Sequence, residues 1–457
     1  MRTMVQAFTG GFGGPAAHSG DAIADRLCDI ARRSDACAAI IGWNAGTPYD
    51  RVVGQLHRRG LKAYVWLPMF SEHGDNGAID GSGGGSGSGG SGSARGPAPA
   101  IDFMGGRHVG ATVGATVSGG GGGSGGDGDG DGSGGNIGGG GGGGSGGDGD
   151  GDGDGDGSGG NIGGGADDDF TFACPSDAAN IRLAARKYDA HFSGCGFDGV
   201  FLDKIRFSSF GNGFLSGMGC FCQRCRDFYV GEGVDVGAFL AMMGQEDKSF
   251  LVPCARRGMR YSYSDPVVDS LCRARAKLIA RSVGEAASAF RRRGLTVGLD
   301  VFAPALAYFV GQDIEALAGI ADFIKPMAYR VTDSPAGIPY ETRRMREELG
   351  SNGCQKIEGA IEALWDTDDL AGDDCFVEQL KELAGVKGLA GAQGLAGVAK
   401  ELAGAPCEFY SGLEVNKVDV CAADAAYVER SLGAIEASGI AGCVLSWNVL
   451  ADIVYPA

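Results

Sequence analysis

The chain has 457 residues, but 45 of its 87 glycines lie in residues 77–165, so about 370 residues remain for ordinary globular structure. The formal net charge of −18 argues against nucleic acid or an anionic membrane surface as a partner, and it is compatible with a neutral ligand such as a sugar. No apolar run reaches the roughly 18 residues of a membrane span. The first residues lack the apolar core of a signal peptide, which predicts a cytoplasmic protein.

Short apolar runs alternate with amphipathic helical patterns along the whole chain. The runs do not alternate cleanly between apolar and polar residues, which is typical of parallel strands buried on both faces. The predicted strands are Met4–Phe8, Ala38–Gly42, Ala63–Pro68, Gly199–Asp203, Thr296–Val301, Asp322–Met327, Glu408–Glu414 and Gly442–Trp447. Eight such strands with intervening helices predict an α/β fold, a (β/α)8 TIM barrel. An open doubly wound sheet is the alternative, but no G-x-G-x-x-G loop follows the first strand.

A Gly/Ser/Asp-rich insertion separates the third predicted strand from the fourth. We assign strands one to three to residues 1–76, the insertion to residues 77–165 and the rest of the barrel to residues 166–457, with a helical excursion near 366–404. The insertion has too few apolar residues to offset the entropy of ordering its backbone, which predicts disorder. Its DGDGD tracts resemble calcium loops, but no glutamate stands at the twelfth loop position. We therefore interpret them as a solvated polyanionic tether.

Acidic side chains stand at the ends of three predicted strands, where the active sites of TIM barrels lie. Asp203 ends the fourth strand, Asp300 belongs to the fifth and Glu414 ends the seventh. Glycoside hydrolysis needs two carboxyl groups, one protonated and one ionised, and clustering carboxylates in a buried site raises the pKa of at least one of them. The three residues are therefore the predicted catalytic set, although each could instead be a structural partner of a neighbouring cation.

Cationic, amide and aromatic side chains at the same strand ends are predicted to contact the substrate. The cations could keep neighbouring carboxylates ionised, and the aromatic side chains offer flat faces on which a sugar ring can stack. The predicted substrate-binding residues are Trp66, Lys204, Arg206, Lys325, Tyr329, Asn416 and Trp447. The two tryptophans could also be ordinary core residues.

The segment Phe197–Ser209, FDGVFLDKIRFSS, resembles the fourth-strand signature of glycoside-hydrolase-like barrels, a group that includes uncharacterised predicted glycosidases. The later segments VGLDVFAP, FIKPMAYR and GLEVN fit the same resemblance. In retaining barrels of this kind the acid/base lies on strand four and the nucleophile on strand seven, which would be Asp203 and Glu414. This chain departs from them because Asp203 stands where many have Asn-Glu. In another group of barrels the strand-four aspartate is the nucleophile, so Asp203 with Asp300 is an alternative pair.

A cysteine motif follows the fourth strand. Cys220, Cys222 and Cys225 form a C-x-C-x-x-C pattern, which places three thiolates within reach of one tetrahedral ion. The motif resembles the cysteine cluster of family 42 β-galactosidases, which holds a structural zinc ion. Cys174, Cys195 or Cys254 could supply a fourth ligand. The alternative is three reduced cysteines that pack a loop.

Three functions remain open from the sequence. The first is a glycoside hydrolase that cleaves a carbohydrate by a two-carboxylate, retaining mechanism and needs no cofactor for catalysis. The second is a carbohydrate-binding barrel without a competent catalytic pair. The third is a Schiff-base lyase that uses Lys325. The separation of the Asp203 and Glu414 carboxyl groups discriminates among these possibilities, because retention needs about 5–5.5 Å and inversion about 6.5–9.5 Å. A much larger separation would favour Asp203 with Asp300, or the carbohydrate-binding barrel.

Overall fold

The computed structural model describes residues 1–8, 20–43, 47–73, 109–110, 170–214, 218–389 and 406–455. Within these ranges a closed barrel of eight parallel strands forms the centre of the molecule. The strands are β1 Arg2–Ala7, β2 Ala36–Gly42, β3 Lys62–Pro68, β4 Gly199–Asp203, β5 Thr296–Phe302, β6 Phe323–Met327, β7 Glu408–Glu414 and β8 Gly442–Ser446. Each strand pairs with its neighbours in the sequence, and β8 closes the barrel on β1. The predicted TIM barrel is confirmed.

Helices connect the strands and cover the outside of the barrel. They are α1 Gly20–Arg33, α2 Tyr49–Arg58, α3 Ala178–His191, α4 Gln223–Gly231, α5 Val236–Met243, α6 Pro266–Arg291, α7 Pro304–Ala307, α8 Ile314–Ala318, α9 Ile338–Leu364, α10 Asp373–Leu389 and α11 Ala425–Ser438. Short 3₁₀ turns lie at Phe210–Asn212, Ser249–Leu251 and Tyr308–Val310. In the described part of the chain, no helix combines the length and hydropathy that crossing a membrane requires.

Small antiparallel sheets lie outside the barrel. One joins Ser71–His73 and Val109–Gly110 to Phe170–Phe172. These segments lie before, within and after the predicted insertion, respectively. The other two are the hairpins Pro253–Arg257 with Arg260–Tyr263 and Lys417–Val418 with Cys421–Ala422.

The predicted insertion follows β3, as expected from the sequence. Val109–Gly110 is a stretch of it that pairs with Phe170–Phe172. Most of the segment predicted to be disordered, including both GSGGNIGGG repeats, lies outside the described residues. Of the predicted helical excursion, α10 is described and residues 390–405 are not.

Two apolar layers result from the alternation of side chains along the strands. Side chains that point outward, such as Val5, Val200 and Leu299, pack against the helices in one large core. Side chains that point inward fill the base of the barrel with a second cluster. Its buried members are Met4, Ala38, Ile40, Tyr64, Phe201, Phe323, Tyr410 and Val444. The barrel interior is therefore a packed core, and only its C-terminal mouth is left for polar groups.

Candidate active site

On β1, β4, β6 and β8, a polar side chain stands two residues beyond an apolar one on the inward face. Gln6 follows Met4, Asp203 follows Phe201, and Lys325 follows Phe323. The strand register pairs Leu202 with Leu299 and Asp300 with Lys325. Asp203, Asp300 and Lys325 therefore lie at one level on three neighbouring strands, facing into the barrel at its C-terminal end.

Lys325 is the centre of the buried polar cluster at this mouth. Its side chain is fully buried, and Nζ donates to Gln6 Oε1 at 2.8 Å, Tyr329 Oη at 2.8 Å and Asp300 Oδ2 at 3.1 Å. Ser446 on β8 donates to Gln6 Oε1 at 3.2 Å. An ammonium group has three protons, so these three acceptors use all of them. Burial lowers the pKa of Lys325, and the adjacent Asp300 carboxylate opposes that shift.

Gly412 on β7 makes room for this cluster. A Cβ atom at this position would lie 2.9 Å from Pro326 O, 3.0 Å from Tyr329 Cε1 and 3.1 Å from Lys325 Cε. A side chain at position 412 would therefore displace the lysine or the tyrosine, which explains why glycine occupies an inward position on β7.

Asp300 has the electrostatic character of a general acid. Its side chain is buried, and burial raises its pKa to about 7, with the charge of Asp203 acting in the same direction and Lys325 acting against it. Near neutral pH the carboxyl group is thus divided between its protonated and ionised forms. A carboxyl group with this property can donate a proton to a leaving oxygen.

Asp203 is the most accessible of the three predicted carboxylates. It is 9% exposed, compared with 1% for Asp300 and 0% for Glu414. Its Oδ1 accepts a hydrogen bond from the backbone N–H of Lys204, which adopts a left-handed φ of 51°. This φ is uncommon for a residue with a side chain, and such positions concentrate at functional sites.

Two buried indole nitrogens, Trp66 Nε1 and Trp447 Nε1, have no hydrogen-bond partner among the described residues. Gln6 Nε2 and Asp300 Oδ1 make no close hydrogen bond there either, but the two side chains interact, because a Gln6 hydrogen bond acts to lower the pKa of Asp300. Trp66 packs against the apolar cluster at the base of the barrel, and Trp447 packs against the core between the barrel and the helices. Buried polar groups usually have partners, so the unpartnered ones mark places where a ligand or water would complete the hydrogen bonding.

Glu414 belongs to a different network. Its Oε1 accepts from the Val331 N–H at 2.8 Å and the Thr332 hydroxyl at 3.1 Å, and its Oε2 accepts from the Tyr427 hydroxyl of α11. Burial raises the pKa of Glu414, and these hydrogen bonds oppose the shift. Both carboxylate oxygens thus connect β7 to the loop after β6 and to the following helix.

Asn416 likewise braces the end of the barrel. Its Nδ2 donates to Asn448 O at 2.7 Å, and its Oδ1 accepts from the N–H groups of Trp447 and Asn448 at 3.2 Å. The amide thereby fixes the loop after β8, including Trp447, whose peptide bond with Ser446 is cis.

Arg206 lies behind the strand-four end. Its guanidinium donates to Phe207 O at 2.9 Å and Asn212 Oδ1 at 3.0 Å, and it stacks over the Phe302 ring with 4.7 Å to the centroid. Burial lowers its pKa. These contacts make Arg206 an organiser of the loop that follows Asp203.

A four-cysteine cluster lies beside the same loop. The sulfur atoms of Cys174, Cys220, Cys222 and Cys225 all lie within 4.8 Å of one another, and Cys174 Sγ is 3.5 Å from Cys222 Sγ and 3.6 Å from Cys225 Sγ. The cluster could hold a metal ion. Of the three cysteines predicted as a fourth ligand, Cys174 is the one that joins the motif.

Cys195 and Cys254, the other two cysteines weighed as the fourth ligand, bond elsewhere. Their thiols donate to His191 O and Ser262 O, respectively.

Sequence reasoning did not single out Gln6 and Ser446. The available signal was their position two residues beyond an inward apolar residue, Met4 and Val444. The inward positions are hard to recognise from the sequence, because both faces of these short strands are buried and their residues do not alternate between apolar and polar.

An open cavity of about 250 Å³ lies elsewhere, between α9 and the loop before α10. It is lined by acidic residues including Glu358, Glu362 and Asp368, and by none of the predicted site residues.

The fold has distant structural similarity to glycoside hydrolase TIM barrels. An α-galactosidase from Thermus thermophilus is 8% identical with a TM-score of 0.40, and the alignment covers 100% of this chain and 59% of that one. The glycoside hydrolase domain of PelA from Pseudomonas aeruginosa is 9% identical with a TM-score of 0.35, covering 100% and 98%. A β-galactosidase from Marinomonas ef1 is 10% identical with a TM-score of 0.36, covering 73% and 41%.

No protein-family model matches the chain, and no curated protein matches it. The chain spans 59% of the length of the α-galactosidase. At these identities and TM-scores the structural likenesses carry no argument about the reaction, which must come from the site itself.

Proposed function

We propose that this protein is a glycoside hydrolase that uses Asp203 and Asp300 as its two carboxyl groups. One observation carries the proposal: both side chains face the barrel mouth at the same level of neighbouring strands, beside the buried Lys325 cation. Neighbouring strands are about 4.8 Å apart, which favours the short carboxyl separation of retaining enzymes.

The different surroundings of the two aspartates favour different roles. Asp203, the more accessible one, attacks the anomeric carbon while the bond to the leaving oxygen breaks. Asp300, with a pKa of about 7, gives that oxygen its proton. In the second step the ionised Asp300 takes a proton from water, and the resulting hydroxide oxygen displaces Asp203 from the sugar. Atoms and charge balance over the two steps, and no cofactor takes part.

Glu414 remains the nucleophile predicted from the family resemblance. Its three hydrogen bonds from Val331, Thr332 and Tyr427 favour a bracing role instead. Substitution at Asp300 and at Glu414 therefore separates the two candidate pairs.

The substrate we propose is a neutral carbohydrate. Among the strand-end side chains, the indole N–H groups of Trp66 and Trp447 lack an acceptor among the described residues, and the Asp203 carboxylate is 9% exposed. Sugar hydroxyl groups both accept and donate hydrogen bonds, so they complement such a mixture. The net charge of −18 would repel an anionic polymer.

A panel of aryl glycosides tests the proposal against wild type, Asp203→Asn, Asp300→Asn and Glu414→Gln. We expect wild type to release the aryl group from at least one glycoside, and both aspartate variants to lose most of that activity. Activity that survives Asp203→Asn would contradict the pair. Sugar binding by wild type without hydrolysis of any glycoside would support a carbohydrate-binding barrel instead.

A Schiff-base role for Lys325 receives less support. Its Nζ is fully buried and donates all three protons, which suits a fixed cation rather than an amine nucleophile. Trapping of a Lys325 adduct by borohydride with a carbonyl compound would reverse this preference.

We also propose that Cys174, Cys220, Cys222 and Cys225 bind a structural zinc ion. Zinc–sulfur bonds of about 2.3 Å place tetrahedral sulfur atoms roughly 3.8 Å apart. The distances of 3.5 and 3.6 Å from Cys174 Sγ to Cys222 Sγ and Cys225 Sγ suit that size. Four thiolates close the coordination shell, so the ion would stabilise the fold and leave no position for substrate. It would tie the chain returning from the insertion to the loop after β4.

Metal analysis of purified protein tests the zinc site. We expect one zinc ion per chain in wild type and in Cys254→Ser, which removes an exposed cysteine outside the cluster. Cys174→Ser should lose most of the zinc. Equal zinc content in the two cysteine variants would contradict the assignment.

A further inference from the structure

A buried arginine without a carboxylate partner lies beside the cysteine cluster. Arg275 on α6 is 0% exposed. Its Nη2 donates to Phe309 O at 2.9 Å, whereas Nε and Nη1 make no close hydrogen bond among the described residues. The guanidinium also interacts with the buried Cys272 thiol, three residues earlier on α6, and acts to lower the pKa of that thiol against the effect of burial. Its guanidinium also stacks over the Phe207 ring, with 5.0 Å to the centroid. A buried charge without a counter-charge is strongly destabilising, so the position of this cation needs an explanation.

The arginine lies close to Gly219, the residue that precedes Cys220 of the cluster. A Cβ atom on Gly219, next to Cys220, would lie 3.6 Å from Arg275 Nε and 3.0 Å from Tyr229 Oη. Tyr229 lies four residues after Cys225 on α4 and therefore on the same helix face. Its hydroxyl is also buried and has no partner among the described residues. Two buried polar groups thus converge on the backbone that carries the cysteines.

The charge of the cluster depends on whether it holds a metal. Four protonated thiols are neutral and would leave Arg275 uncompensated. Four thiolates around one divalent ion carry a net charge of −2, which is the counter-charge that the buried guanidinium lacks. Neither Nε nor Nη1 forms a hydrogen bond with a cluster sulfur, so such an interaction would be electrostatic and would act across the Gly219–Cys220 backbone.

We infer that Arg275 is the built-in counter-charge of a metal–tetrathiolate centre formed by Cys174, Cys220, Cys222 and Cys225. The inference rests on the proposed zinc site and is independent of the proposed glycosidase reaction. It assigns Arg275 a positioning and electrostatic role, with no contact to the ion. Phe207, which stacks on the guanidinium, lies four residues after Asp203, so the charged centre also supports the loop that follows the candidate nucleophile.

Zinc affinity is the direct test, measured by competition with a chromophoric chelator. We expect Arg275→Met to weaken zinc binding by about 10- to 100-fold, the usual effect of substituting an outer-sphere partner. Arg275→Lys keeps the charge and should retain most of the affinity. Equal affinity in wild type and Arg275→Met would overturn the inference.

Melting temperature separates this role from simple packing. If Arg275 compensates the metal centre, the zinc-free protein contains an unpaired buried cation, and the zinc-loaded protein does not. Zinc should therefore raise the melting temperature of wild type more than that of Arg275→Met. A zinc-induced rise of the same size in both proteins would indicate packing alone and would overturn the inference.

Substitution of a cluster cysteine gives a second test of the electrostatic role of Arg275, which does not depend on Arg275→Met alone. Cys222 is the only half-buried member of the described cluster, and histidine there would change the centre's charge from −2 to −1. In the Cys222→His background, Arg275→Met should cost less zinc affinity than in wild type. The same loss in both backgrounds would count against an electrostatic role. Absence of zinc binding by wild type would overturn the metal site itself, whatever the glycoside panel shows.

Discussion

On the two sides of the barrel mouth, the buried carboxylates have different kinds of partner. On the side of β4 to β6, Asp300 accepts one close hydrogen bond, from the Lys325 cation, and its other polar contact is a weaker one with Gln6. On the side of β7 and β8, Glu414 has hydrogen bonds to both oxygens, and Asn416 is bonded through both its oxygen and its nitrogen.

The two sets of partners distinguish a reacting carboxyl group from a structural one. A carboxylate whose hydrogen bonds are complete gains nothing from a ligand, even though burial raises the pKa of Glu414 as well. A carboxyl group that accepts one close hydrogen bond and has a pKa near 7 can still take a partner and transfer a proton. The comparison favours Asp203 and Asp300 over Glu414 as the reacting pair.

The largest expected effect is at Asp203. Asp203→Asn removes the proposed nucleophile, so kcat should fall by about 10³-fold or more, whereas Glu414→Gln should stay within about tenfold of wild type. Both are measured on the glycoside that wild type cleaves best. If Glu414→Gln loses as much activity as Asp203→Asn, the two sides of the mouth do not differ in the way proposed.

The next effect concerns the stability provided by the buried ion pair. Lys325→Met leaves the Asp300 carboxylate without its cation, which should lower the free energy of unfolding by about 3–5 kcal/mol. Urea unfolding measures it. Lys381→Met is the matched control, because its pair with Glu378 is largely exposed and should contribute at most about 1 kcal/mol. Similar losses in both variants would argue against a special role for Lys325.

Glu414→Gln should have a smaller effect on stability. The amide keeps one acceptor but presents an N–H₂ group to the network of Val331, Thr332 and Tyr427, so we expect a loss of about 1–3 kcal/mol. The same unfolding experiment measures it. An unchanged unfolding free energy would mean that Glu414 is not a brace, and its role as a catalytic carboxylate would then regain support.

The smallest effect is the pH dependence set by Asp300. A general acid must be protonated, so kcat/KM should decrease tenfold per pH unit above a pKa of about 7, and Asp300→Asn should abolish this limb of the profile. A flat wild-type profile between pH 7 and about pH 9 would remove the acid role from Asp300.

The same group affects folding, with a defined sign. The pKa of Asp300 is higher in the folded protein than the ordinary aspartate value, so between about pH 4 and pH 7 the folded state binds more protons than the unfolded chain. This residue therefore lowers the free energy of unfolding as the pH rises through that window. Asp300→Asn should show a shallower decrease over the same range.

Much of the fold could be predicted from the sequence. Every barrel strand was predicted within two residues of its observed ends, because a run buried on both faces is continuously apolar and bounded by polar turns. The C-x-C-x-x-C motif could also be recognised from local sequence. Its three cysteines are neighbours in the chain, so their sulfur atoms must also be close in space. The position of Asp203 at a strand end also required only the strand prediction.

Which polar groups meet depends on the tertiary fold. Closure of the barrel brings Gln6 of β1 to Lys325 of β6, 319 residues apart in the chain, and register sets Asp203 level with Asp300. Cys174 joins its cluster, and Arg275 approaches it, through packing of distant segments. A sequence records which residues end each strand, but pairing, burial and charge compensation depend on distances that exist only once the chain has folded.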